Sequence, residues 1–314
     1  MKKANVVVIG GGTGLSVLLR GLKTFPVDIT AIVTVADDGG SSGRLRKELK
    51  IPPPGDVRNV LVALSEVEPL VEELFQHRFS NGNGLSGHSL GNLLLAGMTS
   101  ITGDFARGVQ ELSRVLNVKG KVLPAANQEI VLHAELADGS YVEGESSIPL
   151  SGKKIKRVFL EPSNPQPLQE TLIALEEADL IVLGPGSLFT SIIPNLLVPQ
   201  ISQVIKKSNA WKVYICNVMT QPGETDGFTA ADHVQAIYNH IGDKLLHAIL
   251  VNEQKIPFSY SQRYAKEGAR EVIVDRDRLM DMEIEVIGDS LLYFDNHLLR
   301  HDALKLSQRL VSML

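Results

Sequence analysis

The chain has 314 residues, enough to bury a large core as one domain or two, and its hydrophobic (44%) and charged (21%) contents are those of a folded protein. A formal net charge of −5 excludes a surface built to neutralise many nucleic-acid phosphates, while leaving room for a single bound nucleotide. The one cysteine, Cys216, excludes an internal disulfide; following the apolar run Trp211–Ile215, it reads as a buried structural thiol in a reducing compartment.

Two lysines lead straight into a strand-like run with no cleavage-type segment, so a cytoplasmic location is expected. The run Val6–Ile9 stops at Gly10-Gly-Gly-Thr-Gly14, where missing Cβ atoms let backbone N–H groups crowd an anion at a helix start. Leu15, Leu18, Leu19 and Leu22 give that helix an apolar face. A second strand, Ile29–Val35, lies parallel to the first and ends at Asp37-Asp38-Gly39-Gly40, which brings an acidic pair to the same pocket. Ser41, Ser42 and Arg44 follow as donors suited to phosphate or sugar. Helices are predicted over Val60–Leu64, Pro69–Phe79, Leu93–Ile101 and Phe105–Leu116. Antiparallel alternation from Glu129 to Glu145, with Lys154–Leu160, suggests a β-rich insertion within residues 120–160. After a helix over Asn164–Ala178, Leu180–Leu183 and Gly184-Pro-Gly-Ser187 repeat the opening logic of strand, glycine turn and helix start. The uncharged stretch Leu180–Ile205 is broken by prolines and is not read as a membrane span. Strands are expected at Val213–Asn217, Ala248–Val251 and Glu271–Val274, with helices over Ala230–Ile241 and Asp302–Met313. The whole, 1–314, reads as one α/β domain: an open, mostly parallel Rossmann-like sheet with a helical segment and a small β-hairpin insertion.

Site candidates follow from the loops at the carboxyl ends of the strands. Gly11, Gly12, Thr13 and Gly14 form a phosphate cradle or a tight structural turn; Leu15 breaks the dinucleotide fingerprint, and no Gly-Lys-Ser/Thr follows. Asp37 and Asp38 would hold Mg²⁺ or a ribose hydroxyl, or form a solvated turn. Asp56, Arg58 and Asn59 read as a salt bridge at a helix start or as site residues, and His88 and Asn92, four apart, share a helix face. Gly184, Gly186, Ser187 and Thr190 form a second candidate cradle, and Asn217, Thr220, Gln221, Glu224 and Thr225 concentrate polarity beside a buried strand. Arg300 and His301 precede the last helix, as local caps or as ligands. Apolar faces around Leu93 and Val198 are core or a homo-oligomer interface.

Gly10-Gly-Gly-Thr-Gly-Leu-Ser16, Asp37–Arg46, Pro53–Asn59, Gly87–Asn92, Gly184–Ser191 and Asn217–Thr225 together resemble the YvcK/CofD-like family, and within it the gluconeogenesis-factor branch. The resemblance implies a cytoplasmic factor that binds UDP-activated sugars and supports gluconeogenic growth and normal cell shape, with no settled catalytic activity; the first reading is a sensor whose output is a protein contact or a conformational change. The sister branch implies a Mg²⁺-dependent transferase using a guanosine-activated phospho-donor. Its opening turn differs, since this chain has Thr13 and Leu15. A third reading, from the strand–turn–helix–strand–acid order, is NAD binding.

Overall fold

The computed structural model describes residues 3–66, 69–242, 244–295 and 298–314. The first half runs β1 (Ala4–Gly10), α1 (Gly12–Leu22), β2 (Val27–Val33), α2 (Gly40–Leu49), α3 (Gly55–Leu64), α4 (Pro69–Gln76), α5 (Leu90–Thr102), α6 (Phe105–Val115) and β3 (Lys121–Pro124). Next come β4 (Val131–Leu136), β5 (Tyr141–Glu143) and β6 (Ile155–Glu161). The chain then returns through α7 (Gln169–Glu176), β7 (Leu180–Leu183), α8 (Ile193–Leu196), α9 (Pro199–Lys207), β8 (Trp211–Ile215), α10 (Ala230–Ile241) and β9 (Ala248–Asn252). It closes with α11 (Phe258–Lys266), α12 (Arg276–Asp281), β10 (Glu285–Asp289), β11 (Leu292–Asp295), β12 (Leu298–His301) and α13 (Ala303–Val311).

The central sheet has the order β10-β9-β8-β7-β1-β2-β3, and every pairing in it is parallel. β1 runs as Val6, Val7, Val8 and Ile9 with 0–1% exposure, as expected of a strand covered on both faces. From β1 the chain builds outward through β2 and β3, then crosses back to add β7 on the other side. That reversal is a topological switch point, where an open α/β sheet leaves a crevice at its carboxyl edge. α1 packs on α3 and α13, and α7 on α9. Right-handed crossovers put these two sets on opposite faces of the sheet.

The expected α/β architecture is present, and its differences from the sequence reading have local causes. β3 belongs to the main sheet, so the antiparallel sheet β5-β4-β6 begins only at Val131. The helix expected from Asn164 starts at Gln169, because Pro165 and Pro167 push the residues before them, Asn164 and Gln166, toward extended backbone. No strand forms at Glu271–Val274: these residues make one bridge to Met219 and bond the loop after β8, through Val272 N–H to Val218 O and Ala230 N–H to Ile273 O. The outermost strand is instead β10, whose Gly288 lies against the Glu253 carboxylate. Val198 is core, at 0% exposure, and Leu93 is half-buried. Among the described residues no single helix is long and apolar enough to cross a membrane; Leu188–Leu196 and Pro199–Lys207 meet at a 76° bend.

Candidate functional site

The two glycine turns meet at the switch point. Gly11 is the N-cap of α1 in an extended conformation, and Gly12 takes φ +69, a left-handed value that favours glycine. A Cβ at Gly14 would stand 2.9 Å from the Pro185 carbonyl oxygen, so the first turn abuts the second only because position 14 has no side chain. Around this contact lies a cleft of about 450 Å³. Gly11–Gly14 floor it, Gly186 and Ser187 edge it, Asn217 and Gln221 enter from the loop after β8, and Tyr264, Arg300 and His301 close the far wall.

The loop after β8 is fixed by its own side chains. Asn217 Nδ2 donates to Gly186 O at 3.0 Å, and Gln221 Nε2 donates to Ser187 Oγ at 2.7 Å. Thr190 Oγ1 donates to Glu224 Oε1 at 3.2 Å, Thr225 Oγ1 accepts from Gln221 N–H at 2.9 Å, and Thr220 Oγ1 accepts from Arg270 N–H at 2.9 Å. Thr190, Thr220, Glu224 and Thr225 are buried and do not line the cleft; they hold the loop that presents Asn217 and Gln221. Burial pushes the Glu224 carboxyl up to about 7, against the opposing hydrogen bonds from Thr190 and Phe189.

The far wall comes from the end of the chain. Leu299 N–H donates to the Tyr264 hydroxyl at 3.0 Å, fastening the β11–β12 hairpin to α11. Burial outweighs a hydrogen bond from the ring to the Cys216 backbone carbonyl and holds His301 down at about 4, which keeps the ring neutral. Burial likewise pushes the Cys216 thiol up to about 12, as befits a structural cysteine. Arg300 was legible as a cation before the last helix; Tyr264 was not, because it sits on a polar surface helix.

The second candidate cluster lies beside the first, at the carboxyl end of β2, and its members are not all directed at one point. Asp37 Oδ1 accepts from Gly39 N–H at 2.9 Å, whereas Asp38 Oδ1 accepts from Ser146 N–H at 2.8 Å, so Asp38 anchors the antiparallel sheet's loop. The expected Asp56–Arg58 salt bridge is not among the described ion pairs. Arg58 instead donates to Ser89 Oγ at 2.5 Å and to Asn59 Oδ1 at 2.6 Å, which engages Asn59 as a structural acceptor. Asp56 accepts a hydrogen bond from the Gly12 backbone and faces Asp37; burial first and Asp37 second push its carboxyl up to about 7. Ser41 Oγ meets His88 Nδ1 at 2.9 Å, Asn92 Nδ2 donates to Ser42 Oγ at 3.4 Å, and Arg44 donates to Ser86 O at 2.7 Å. Burial, then Arg44, lowers the His88 pKa. Among the described residues no group of three or more His, Cys, Asp or Glu is arranged to hold a metal ion.

Residues 6–292 match the family model described as 2-phospho-L-lactate transferase CofD. The chain belongs to the CofD family. It is 68% identical over 311 residues to a gluconeogenesis factor of Halalkalibacterium halodurans, covering 99% of this chain and 97% of that one. It is 62% identical over 313 residues to the Bacillus subtilis gluconeogenesis factor, covering 100% and 99% of the two chains. The crystal structure of protein BH3568 from Bacillus halodurans superposes with a TM-score of 0.97 at 67% identity, covering 99% of this chain and all of the other. The family match stops at Leu292, so the wall formed by Leu298–His301 lies outside it, whereas the two gluconeogenesis factors align over almost the whole chain.

Proposed function

We propose that the protein is a regulatory factor of gluconeogenic metabolism that binds a nucleotide sugar in the cleft at the switch point. The observation that carries this reading is the joining of two glycine turns under a wall holding Tyr264 and Arg300. Backbone N–H groups at the start of α1 and the Arg300 guanidinium suit a diphosphate, and Tyr264 offers a ring to a base. UDP-activated sugars are the ligand class that the family resemblance implies, with output through a protein contact in the cytoplasm. The names of the 68% and 62% identical relatives support the metabolic role.

The second reading, a Mg²⁺-dependent phospho-donor transferase, is favoured by the carboxylates beside α1. Asp38 is turned away, so a cation joining phosphate to protein here would be held by Asp37 with Asp56 and would neutralise charge on the transferred group. The wall residues beyond the transferase-family match weigh toward the binding factor.

Calorimetric titration with UDP-N-acetylglucosamine, UDP-glucose, GDP and NAD, with and without Mg²⁺, tests both, followed by chemical analysis of the recovered ligand. Selective UDP-sugar binding with intact ligand is expected, weakened at least about ten-fold in Arg300→Ala. Turnover, or binding of GDP alone, would favour the transferase, and binding of NAD alone would overturn both.

A further inference from the structure

A carboxyl group holds the first glycine turn from beneath. Asp56, at the start of α3 and 8% exposed, accepts a hydrogen bond from the Gly12 backbone, the first N–H of α1. A Cβ at Gly11 would collide with Asp56 Oδ2, so the bare backbone there is what admits the carboxyl. Of the N–H groups that open α1, those of Thr13 and Gly14 remain without an acceptor inside the helix. The second turn is built alike, because Phe189 N–H, two residues past Ser187, donates to Glu224 Oε2 at 3.3 Å.

Among the described residues neither Asp56 nor Glu224 has an ion-pair partner. Arg58 lies two residues from Asp56 but donates to Ser89 Oγ and Asn59 Oδ1, and Asp37, which faces Asp56, adds charge of the same sign. With the His301 ring neutral, Arg300 is the only charged side chain among the described residues lining the cleft. An anion seated there meets one cation and a few N–H groups, with a buried carboxyl behind each turn. A phosphate esterified at both ends carries about one negative charge, whereas a terminal phosphate carries about two well above pH 6. The extra charge is repelled through protein interior, where salt screens little.

We propose that Asp56, seconded by Glu224, is a specificity residue that makes the cleft prefer a diphosphate esterified at both ends over a nucleotide that ends in a free phosphate. Neither carboxyl needs to touch the ligand: each takes up an N–H at its turn and opposes surplus negative charge, so the wrong ligand is rejected by repulsion. The proposal rests on the reading of the cleft as a nucleotide-sugar site and adds what separates that ligand from the free nucleotide.

The test is calorimetry on the full chain at pH 8 in EDTA, with UDP-glucose, UDP and the methyl ester of UDP, which caps the terminal phosphate without supplying a sugar. UDP-glucose and the methyl ester should each bind at least about ten-fold more tightly than UDP. Asp56→Asn, which keeps an acceptor for the Gly12 N–H, should bring UDP to within about three-fold of the methyl ester. Glu224→Gln should narrow the gap in the same direction, which keeps the test sharp if Asp56→Asn disturbs folding. A methyl ester that binds no better than UDP would assign the preference to sugar contacts and overturn the proposal. So would a gap unchanged in a folded variant, or tight binding of UDP that requires both added Mg²⁺ and Asp56, which would make Asp56 a cation ligand. Binding of none of the three ligands would remove the nucleotide-sugar reading itself, and the proposal with it.

Discussion

Gly14 shows how much of the cleft rests on one missing atom. Alanine there would press its Cβ on the Pro185 carbonyl, and backbone has little room to yield. Gly14→Ala is expected to cost about 1–3 kcal/mol, read as a lowered denaturation midpoint, and to abolish nucleotide-sugar binding measured by calorimetry. Glu224 gives a second residue-scale prediction. Burial raises its carboxyl to about 7 in the folded state from an ordinary value of 4.5, so between those values the folded state holds the extra proton. Its contribution is therefore full below pH 4.5 and is lost as pH rises through 7, by on the order of 3 kcal/mol. Asp56 acts with the same sign and His301, lowered to about 4, with the opposite one. The discriminating quantity is thus the difference between wild type and Glu224→Gln in melting temperature, which should change between pH 5 and pH 8 in favour of the variant at the alkaline end. A pH-independent difference would contradict the assignment. Glycine turns and polar loops such as Asn217–Thr225 were legible as residues that regular structure does not require. Whether a loop residue faces ligand or its own loop, as Thr190 and Glu224 do, is decided by tertiary contacts that spacing does not encode.

At the scale of elements, the hairpin β11–β12 is a wall carried outside the main sheet, joined to α11 through the Tyr264 hydroxyl and the packing of Phe294 on Tyr260. The same Tyr264 oxygen takes the Leu299 N–H and lies 3.5 Å from Leu299 O. Tyr264→Phe removes that fastening and keeps the ring. Faster exchange of the Leu299 amide and weaker ligand binding are expected, with the melting temperature close to wild type; unchanged exchange would show that packing of Tyr260 on Phe294 suffices. The antiparallel sheet is tied in differently: the His240 ring, its Nδ1 bonded to Ala236 O at 2.6 Å, offers Nε2 to Val158 N–H at 2.9 Å. Long elements with strong apolar periodicity, such as β1 and α1, could be placed from sequence alone. β3, β10 and the hairpin could not: β7 and β9 are as short but read as unbroken apolar runs, whereas β3 and β10 mix charged residues with Pro124 or Gly288, which argue locally against a strand.

For the whole molecule, parallel pairing makes neighbours of distant segments. β1 lies between β2, which follows it directly, and β7, some 175 residues later in sequence. The Gly11–Gly14 turn and the wall of Tyr264 and Arg300 consequently sit on opposite sides of any cut between β6 and α7. A chain divided in the exposed stretch 161–164 leaves each piece with part of the cleft and a raw sheet edge, β1 on one and β7 on the other. Neither piece should bind nucleotide sugar alone, and the mixture should recover binding as the two edges pair. Because ligand holds only the joined form, it should strengthen the association of the halves by mass action. The switch point would then work as a clasp: a small molecule seated across β1 and β7 would act as a dimeriser of the divided protein, and the divided protein as a reporter of that molecule's concentration.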